Sequence, residues 1–158
     1  MDNIWAPWRL EYILGIKPEG CLFCIKAKED EDEQNFILCR NPFNYIIMNI
    51  YPYNPGHLMI VPYLHTPTLE NLPDEVSLDF MKTTQKALSV VKEVLNPDGF
   101  NLGLNLTKSG GAGIEEHVHL HIVPRWAGDT SFITVLSDVR VIPEHLKATY
   151  SKLLPYFK

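Results

Sequence analysis

The 158-residue chain lacks the features that mark several whole classes of protein. It has three cysteines, a small and odd number that cannot complete a disulfide framework and that suits a reduced, cytoplasmic protein. No apolar run approaches the ~18 residues that a membrane span requires. The opening Met1-Asp2-Asn3-Ile4-Trp5 carries neither a basic stretch nor an apolar stretch behind it, so no secretory leader is expected. Positive charge is scarce too. Against 19 Asp and Glu stand 14 Lys and Arg, for a net charge of -5, the wrong sign for holding a phosphate backbone. Neither nucleic acid nor a membrane is therefore an expected partner. Repeats and low-complexity tracts are missing as well. What remains, 46% apolar and 21% charged residues, is the make-up of a single domain with its own core over residues 1–158. Within it, 1–20 reads as an N-terminal arm and 143–158 as a C-terminal helical tail.

The arm holds Trp5-Ala6-Pro7-Trp8-Arg9, whose two tryptophans seek burial and are expected to dock on the body. The acidic run Glu29-Asp30-Glu31-Asp32-Glu33 reads as a solvated loop. Strands are expected over 35–40, 45–50 and 57–61, the last two joined by a Pro, Asn and Gly turn at 51–56. Over 74–95 Phe80, Thr84, Ala87, Val91 and Val94 recur at helical spacing, with Met81, Leu88 and Leu95 widening the stripe. Pro73 and Asp74 suit the start of that helix, and Asn96, Pro97 and Gly99 its end. Two more strands follow, over 100–106 and 117–123, and a short helix over about 143–154. An α+β fold results: an antiparallel sheet of about five strands carrying one long helix and a short C-terminal one.

The most informative stretch is His117-Val118-His119-Leu120-His121-Ile122-Val123. A strand alternates its side chains, so the three histidines share one face, spread over about 13 Å, while Val118, Leu120 and Ile122 face the core. A generic solvated face favours Lys, Glu and Thr and has no need of three imidazoles. Two kinds of chemistry compete. Three imidazoles can bind a catalytic zinc with a position left open for water, as in a three-histidine zinc hydrolase. Alternatively one imidazole is a nucleophile and its neighbours bind the anion that it attacks. The preceding Ser109-Gly110-Gly111-Ala112-Gly113 favours the second, because glycine N–H groups can approach a phosphate closely. Upstream, Cys21-Leu22-Phe23-Cys24 has the spacing of half a zinc site or a redox pair. Cys39, in an apolar strand, reads as a buried small hydrophobe.

The pattern of His117 to Val123 resembles the signature of the histidine triad (HIT) superfamily of nucleotide hydrolases and transferases. Further matches are Pro55-Gly56-His57-Leu58-Met59-Ile60-Val61-Pro62 with His65, and Asn105 ahead of the glycine loop. The opening Trp5 to Arg9, the Cys-x-x-Cys and Val123-Pro124-Arg125-Trp126 resemble the branch with diadenosine tetraphosphate phosphorylases and hydrolases. The resemblance implies a HIT-like fold and a homodimer. It implies that His119 attacks an α-phosphorus to form a nucleotidyl-histidine, that His121 donates to a phosphate oxygen or the leaving group, and that His57 buttresses the triad. His117 is its remaining member.

Asn105, Gly111, Gly113, Ser109 and Lys108 are the implied phosphate-side residues, and Asn49 stands where relatives contact the ribose. Phe23, Ile25, Phe43 and Ile47 are candidates to sandwich the base. Many relatives carry a Ser or Thr donor shortly before the triad, whereas Gly113-Ile114-Glu115-Glu116 has none. As in zinc-carrying members, His65 and His117 would complete a structural zinc site with Cys21 and Cys24; no organic cofactor is implied. The implied substrate is an adenosine polyphosphate, with diadenosine tetraphosphate cleaved by phosphate or water. Lys108, Ser109 and Arg125 are candidates for an acceptor pocket that tips the balance to phosphate. A nucleoside phosphoramidate hydrolase and a nucleotide-binding protein without turnover are the alternatives.

Overall fold

The computed structural model describes residues 19–129 and 144–157; the Trp5–Arg9 segment lies outside them. The described elements run α1 (Leu22–Lys28), α2 (Asp32–Asn35), β1 (Ile37–Arg40), β2 (Asn44–Met48), β3 (Leu58–Pro62), α3 (Asp74–Leu95), β4 (Gly99–Leu104), β5 (Leu120–Arg125) and α4 (Leu146–Phe157). The strands form one five-stranded sheet in the order β1-β2-β3-β5-β4, with every pair antiparallel. The α+β architecture is the expected one.

Strand alternation sorts the side chains between two layers. Ile46, Met48, Leu58, Ile60, Leu120 and Ile122 point to the face covered by α3 and α4, where Phe80, Ala87, Val91, Tyr150, Leu153 and Phe157 complete the main core. Tyr45, Ile47, Met59 and Val61 point the other way and pack with Phe23 of α1. Both faces of β2 and β3 are thus covered, and every residue of these two strands is buried. Since α1 is only seven residues long, it covers part of its face and leaves a hollow beside it.

Helix α3 has the expected limits, beginning after Pro73 and ending at Asn96, whose left-handed backbone lets its N–H bond the Lys92 carbonyl. Met81 departs from the expected stripe. It is 53% exposed, because it lies a further 100° round the helix from Phe80. The acidic run is not loop throughout: Asp32–Asn35 forms α2, which ends where Phe36 turns left-handed at φ 55°, so β1 starts later than expected. Strand β5 starts at Leu120; His117 and His119 precede the regular ladder, on a segment tied by the Val118 N–H to the Thr66 carbonyl at 2.7 Å. The last helix runs to Phe157 rather than stopping near 154.

Candidate functional site

The register of the sheet lines up one row of residues across its strands. Ile37 pairs with Ile47, Ile47 with Met59, Met59 with His121, and His121 with Gly103. Directly paired residues share a face, so His121 stands on the face that α1 partly covers. Between that face and α1 lies a cavity of about 380 Å³, lined by Leu22, Phe23 and Lys26 of α1, by Ile47, Met59 and His121 of the row, and by His119, Asn49, Tyr53, Asn105, Gly111 and Gly113 among others. Helix α1 is clamped in place. Arg40 donates to the carbonyls of Ala27 (2.7 Å) and Glu29 (2.8 Å) at its C-terminal end and to Asp32 at 2.7 Å, while the Tyr45 hydroxyl donates to the Phe23 carbonyl at 2.8 Å.

Hydrogen bonds to the backbone decide the tautomer of each histidine. His119 Nδ1 lies 2.8 Å from the backbone oxygen of His117. A carbonyl only accepts, so Nδ1 carries the proton and Nε2 keeps its lone pair. The Tyr53 N–H donates to His57 Nδ1 at 3.1 Å, which leaves the proton of a neutral His57 on Nε2. That nitrogen is 2.9 Å from His121 Nδ1, so neutral His121 carries its proton on Nε2. His57 itself is fully buried. Burial holds the pKa of His119 below the ordinary histidine value, and burial followed by the nearby His119 pushes that of His121 down to about 4. Phe23 lies against His119, ring centroids 4.8 Å apart. The two cavity histidines are therefore neutral at pH 7, one offering a lone pair and the other positioned as a donor.

His117 faces elsewhere. Its Nε2 donates to the Pro62 carbonyl at 2.8 Å, and its Nδ1 lies 3.2 Å from Cys21 Sγ, 3.5 Å from Cys24 Sγ and 3.4 Å from His65 Nδ1. Cys24 Sγ is 3.4 Å from His65 Nδ1, and all four ligand atoms lie within 4.8 Å of one another. Zinc–nitrogen bonds of about 2.0 Å and zinc–sulfur bonds of about 2.3 Å give a tetrahedron with edges of about 3.3–3.8 Å. The donor set and its spacing fit that ion. Among the described residues this is the one such cluster. The three triad imidazoles do not converge on a common point, which removes the geometry that a three-histidine zinc hydrolase needs.

The remaining expected residues divide. Asn49, Asn105, Gly111 and Gly113 line the cavity. Asn49 Oδ1 also accepts the Tyr51 N–H at 2.8 Å, so it shapes the turn before His57. Gly111 donates its N–H to the Lys108 carbonyl at 3.0 Å, inside the loop. A Cβ on Gly110 would come 2.2 Å from the Leu106 carbonyl oxygen, so the loop's own packing demands that glycine. Lys108 and Ser109 are exposed and do not line the cavity. Arg125 grips Asp129 through two bonds of 2.6 and 2.8 Å and Asn101 through one of 2.6 Å, which holds the Asp129 carboxyl well below the usual range. The expected acceptor pocket of Lys108, Ser109 and Arg125 is thus not assembled at the cavity, because the arginine is committed to β4 and the turn after β5.

Of the base candidates, Phe23 and Ile47 line the cavity, whereas Phe43 packs with Leu72, Val76 and Val118 and Ile25 is not in the lining. Cys39 is half-buried against the main core rather than buried within it. Sequence reasoning missed Lys26, Tyr51, Tyr53 and Met59. For Lys26 a signal existed: with Leu22 it lies on one face of a helix, four residues on.

The low pKa of His121 has a consequence for stability. In the unfolded chain its imidazole takes a proton near 6.5, but in the fold only near 4. Between those values the unfolded state binds more protons, so stability is intact above about pH 6.5 and falls as the pH drops towards 4. Urea unfolding at pH 7 and pH 5 checks this: the wild type should lose more stability between the two than His121→Asn, and equal losses would contradict it.

The HIT domain family matches residues 30–128. The AP-4-A phosphorylase of Mycobacterium tuberculosis is 41% identical over 157 residues, spanning 94% of this chain and 80% of the relative. The bis(5'-adenosyl)-triphosphatase of Dictyostelium discoideum is 33% identical over 92 residues, 58% of this chain and 61% of the relative. Among solved structures, a Zn-bound histidine triad family protein from Mycobacterium smegmatis superposes with a TM-score of 0.69 at 25% identity, covering 87% of this chain and 93% of that one. A family match over more than half of the residues, and a relative similar over nearly all of them, show that this chain belongs to the HIT domain family.

Proposed function

We propose that this protein is an enzyme that transfers the adenylyl group of diadenosine tetraphosphate, or of a close adenosine polyphosphate, through a nucleotidyl-histidine intermediate on His119. The observation that carries this reading is the bond from His119 Nδ1 to the His117 carbonyl at 2.8 Å, which leaves an unprotonated Nε2 on a residue lining the cavity. The names of the relatives, AP-4-A phosphorylase and bis(5'-adenosyl)-triphosphatase, supply the substrate class.

In the first step the Nε2 lone pair attacks the α-phosphorus and a P–N bond forms as the P–O bond to the leaving chain breaks. His121 Nε2–H hydrogen-bonds the departing oxygen and stabilises the charge that develops there, held in that orientation by the His57 bond to its Nδ1. The phosphate chain departs as an anion, and the nucleotidyl-His119 carries the positive charge. In the second step an acceptor oxygen attacks the same phosphorus, any proton it carries passes to solvent, and the P–N bond breaks to return neutral His119. Phosphate as acceptor yields adenosine diphosphate and triphosphate; water yields monophosphate and triphosphate. The name of the Mycobacterium tuberculosis relative favours phosphate. Asn105 and Gly113 are the proposed phosphate-side contacts, and Asn49 the ribose contact.

Cys21, Cys24, His65 and His117 would hold one zinc ion, which ties α1 to the histidine segment and takes no part at phosphorus. Thiols kept free for such a site suit a reducing cytoplasm. The chain forms one domain over 1–158. A homodimer is also part of the reading. Strand β4 ends the sheet with Asn101, Leu102 and Gly103 exposed, and pairing with a second copy would remove that open edge.

His119→Ala should abolish turnover, to below about one per cent, while adenosine monophosphate still binds; retained turnover would sink the assignment. Product analysis with millimolar phosphate should give adenosine diphosphate plus triphosphate; monophosphate production unaffected by phosphate would make water the acceptor. For the metal, elemental analysis should find about one zinc per chain, and Cys21→Ser with Cys24→Ser should lose the metal and thermal stability together. A metal-free native protein of full stability would refute the site.

A further inference from the structure

Lys26 is the one Lys or Arg among the residues lining the cavity, and the chemistry at phosphorus does not use it. It sits towards the end of α1 away from Cys21, beyond Leu22 and Phe23. Its ammonium is held by Asn35 Oδ1, and Asn35 Nδ2 donates in turn to Glu29 Oε2 at 2.8 Å. Asn35 is only 7% exposed, so the anchor is rigid. Asn35 stands just before β1, where the Phe36 carbonyl accepts the Met48 N–H at 3.0 Å and Ile37 pairs with Ile47. Lys26 thus belongs to the β1–β2 end of the cavity, whereas His121 stands on β5. Neighbouring strands are about 4.8 Å apart, which puts β2 about 10 Å from β5 across β3. That separation is of the order of the distance from the α-phosphorus of a nucleotide to the far edge of its base.

We infer that Lys26, positioned by Asn35, is a specificity-determining residue that reads the outer edge of the substrate's purine and selects adenine over guanine. This rests on the nucleotidyl-transfer reading, with the base lying between Phe23 and Ile47. The chemistry decides the preference. An ammonium donates and never accepts. Adenine presents N1 as a bare acceptor at the middle of its outer edge. Guanine presents N1–H there and its acceptor O6 at the neighbouring corner, so an ammonium held by Asn35 opposite N1 meets a donor in guanine. Two donors facing each other leave a polar group unsatisfied.

The test is calorimetric binding of adenosine and guanosine monophosphates to the wild type, Lys26→Met, Lys26→Ala and Lys26→Arg, each checked by thermal melting. The wild type should prefer the adenine nucleotide. Lys26→Met and Lys26→Ala should weaken it about tenfold, as loss of a charged hydrogen bond implies, and guanosine monophosphate by less than about twofold. Lys26→Arg, which keeps charge and donors, should retain most of the preference. With diadenosine tetraphosphate the loss should fall on KM rather than kcat. Equal weakening of both nucleotides, or no preference in the wild type, would overturn this inference alone. A wild type that binds neither nucleotide would overturn the nucleotidyl-transfer reading and this inference with it.

Discussion

The hydrogen bond from His119 Nδ1–H to the carbonyl of His117 is the constraint on which the chemistry of the cavity depends. Without it the imidazole would exchange tautomers and turn, and the nitrogen facing the cavity would carry a proton for much of the time. The bond is worth on the order of 1 kcal/mol in net stability, yet it decides whether the group is a nucleophile or a donor. What holds the carbonyl in place is therefore as important as the imidazole. The His117 side chain is fixed by the Pro62 carbonyl on one side and by Cys21, Cys24 and His65 on the other. The Val118 N–H is fixed by Thr66. One residue thus orients the proposed nucleophile through its backbone and joins the cysteine cluster through its ring.

His121 is set the opposite way by the same logic. The Tyr53 N–H makes Nδ1 of His57 an acceptor, and the proton is relayed outward until it appears on His121 Nε2. Burial keeps both cavity imidazoles neutral, which is the state each needs: a charged His119 has no lone pair to offer. Two adjacent residues of one type thus take different roles through what their far nitrogens touch.

Much of this was legible in the sequence because it depends on periodicity. The helix over 74–95 and the split between His119 and Leu120 follow from spacings of 3.6 and 2. The grouping of Cys21, Cys24, His65 and His117 was legible through family resemblance, since nothing local links residues 96 positions apart. Other features were out of reach. Arg125 looks like a phosphate ligand until Asp129 is seen to hold it. Gly111 looks like an anion donor until Lys108 takes its N–H. Lys26 shares a helix face with Leu22, but only the strand register shows that this face borders the cavity. Each of these depends on a long-range partner or a turn geometry that composition does not encode.

Direct attack by an acceptor on the α-phosphorus and two successive in-line attacks through His119 leave different marks on the product. The stereochemical course at a chiral, isotopically labelled α-phosphorus therefore tests the account most directly. Two displacements, each with inversion, predict net retention of configuration. Net inversion would mean a single displacement and would contradict a covalent role for His119.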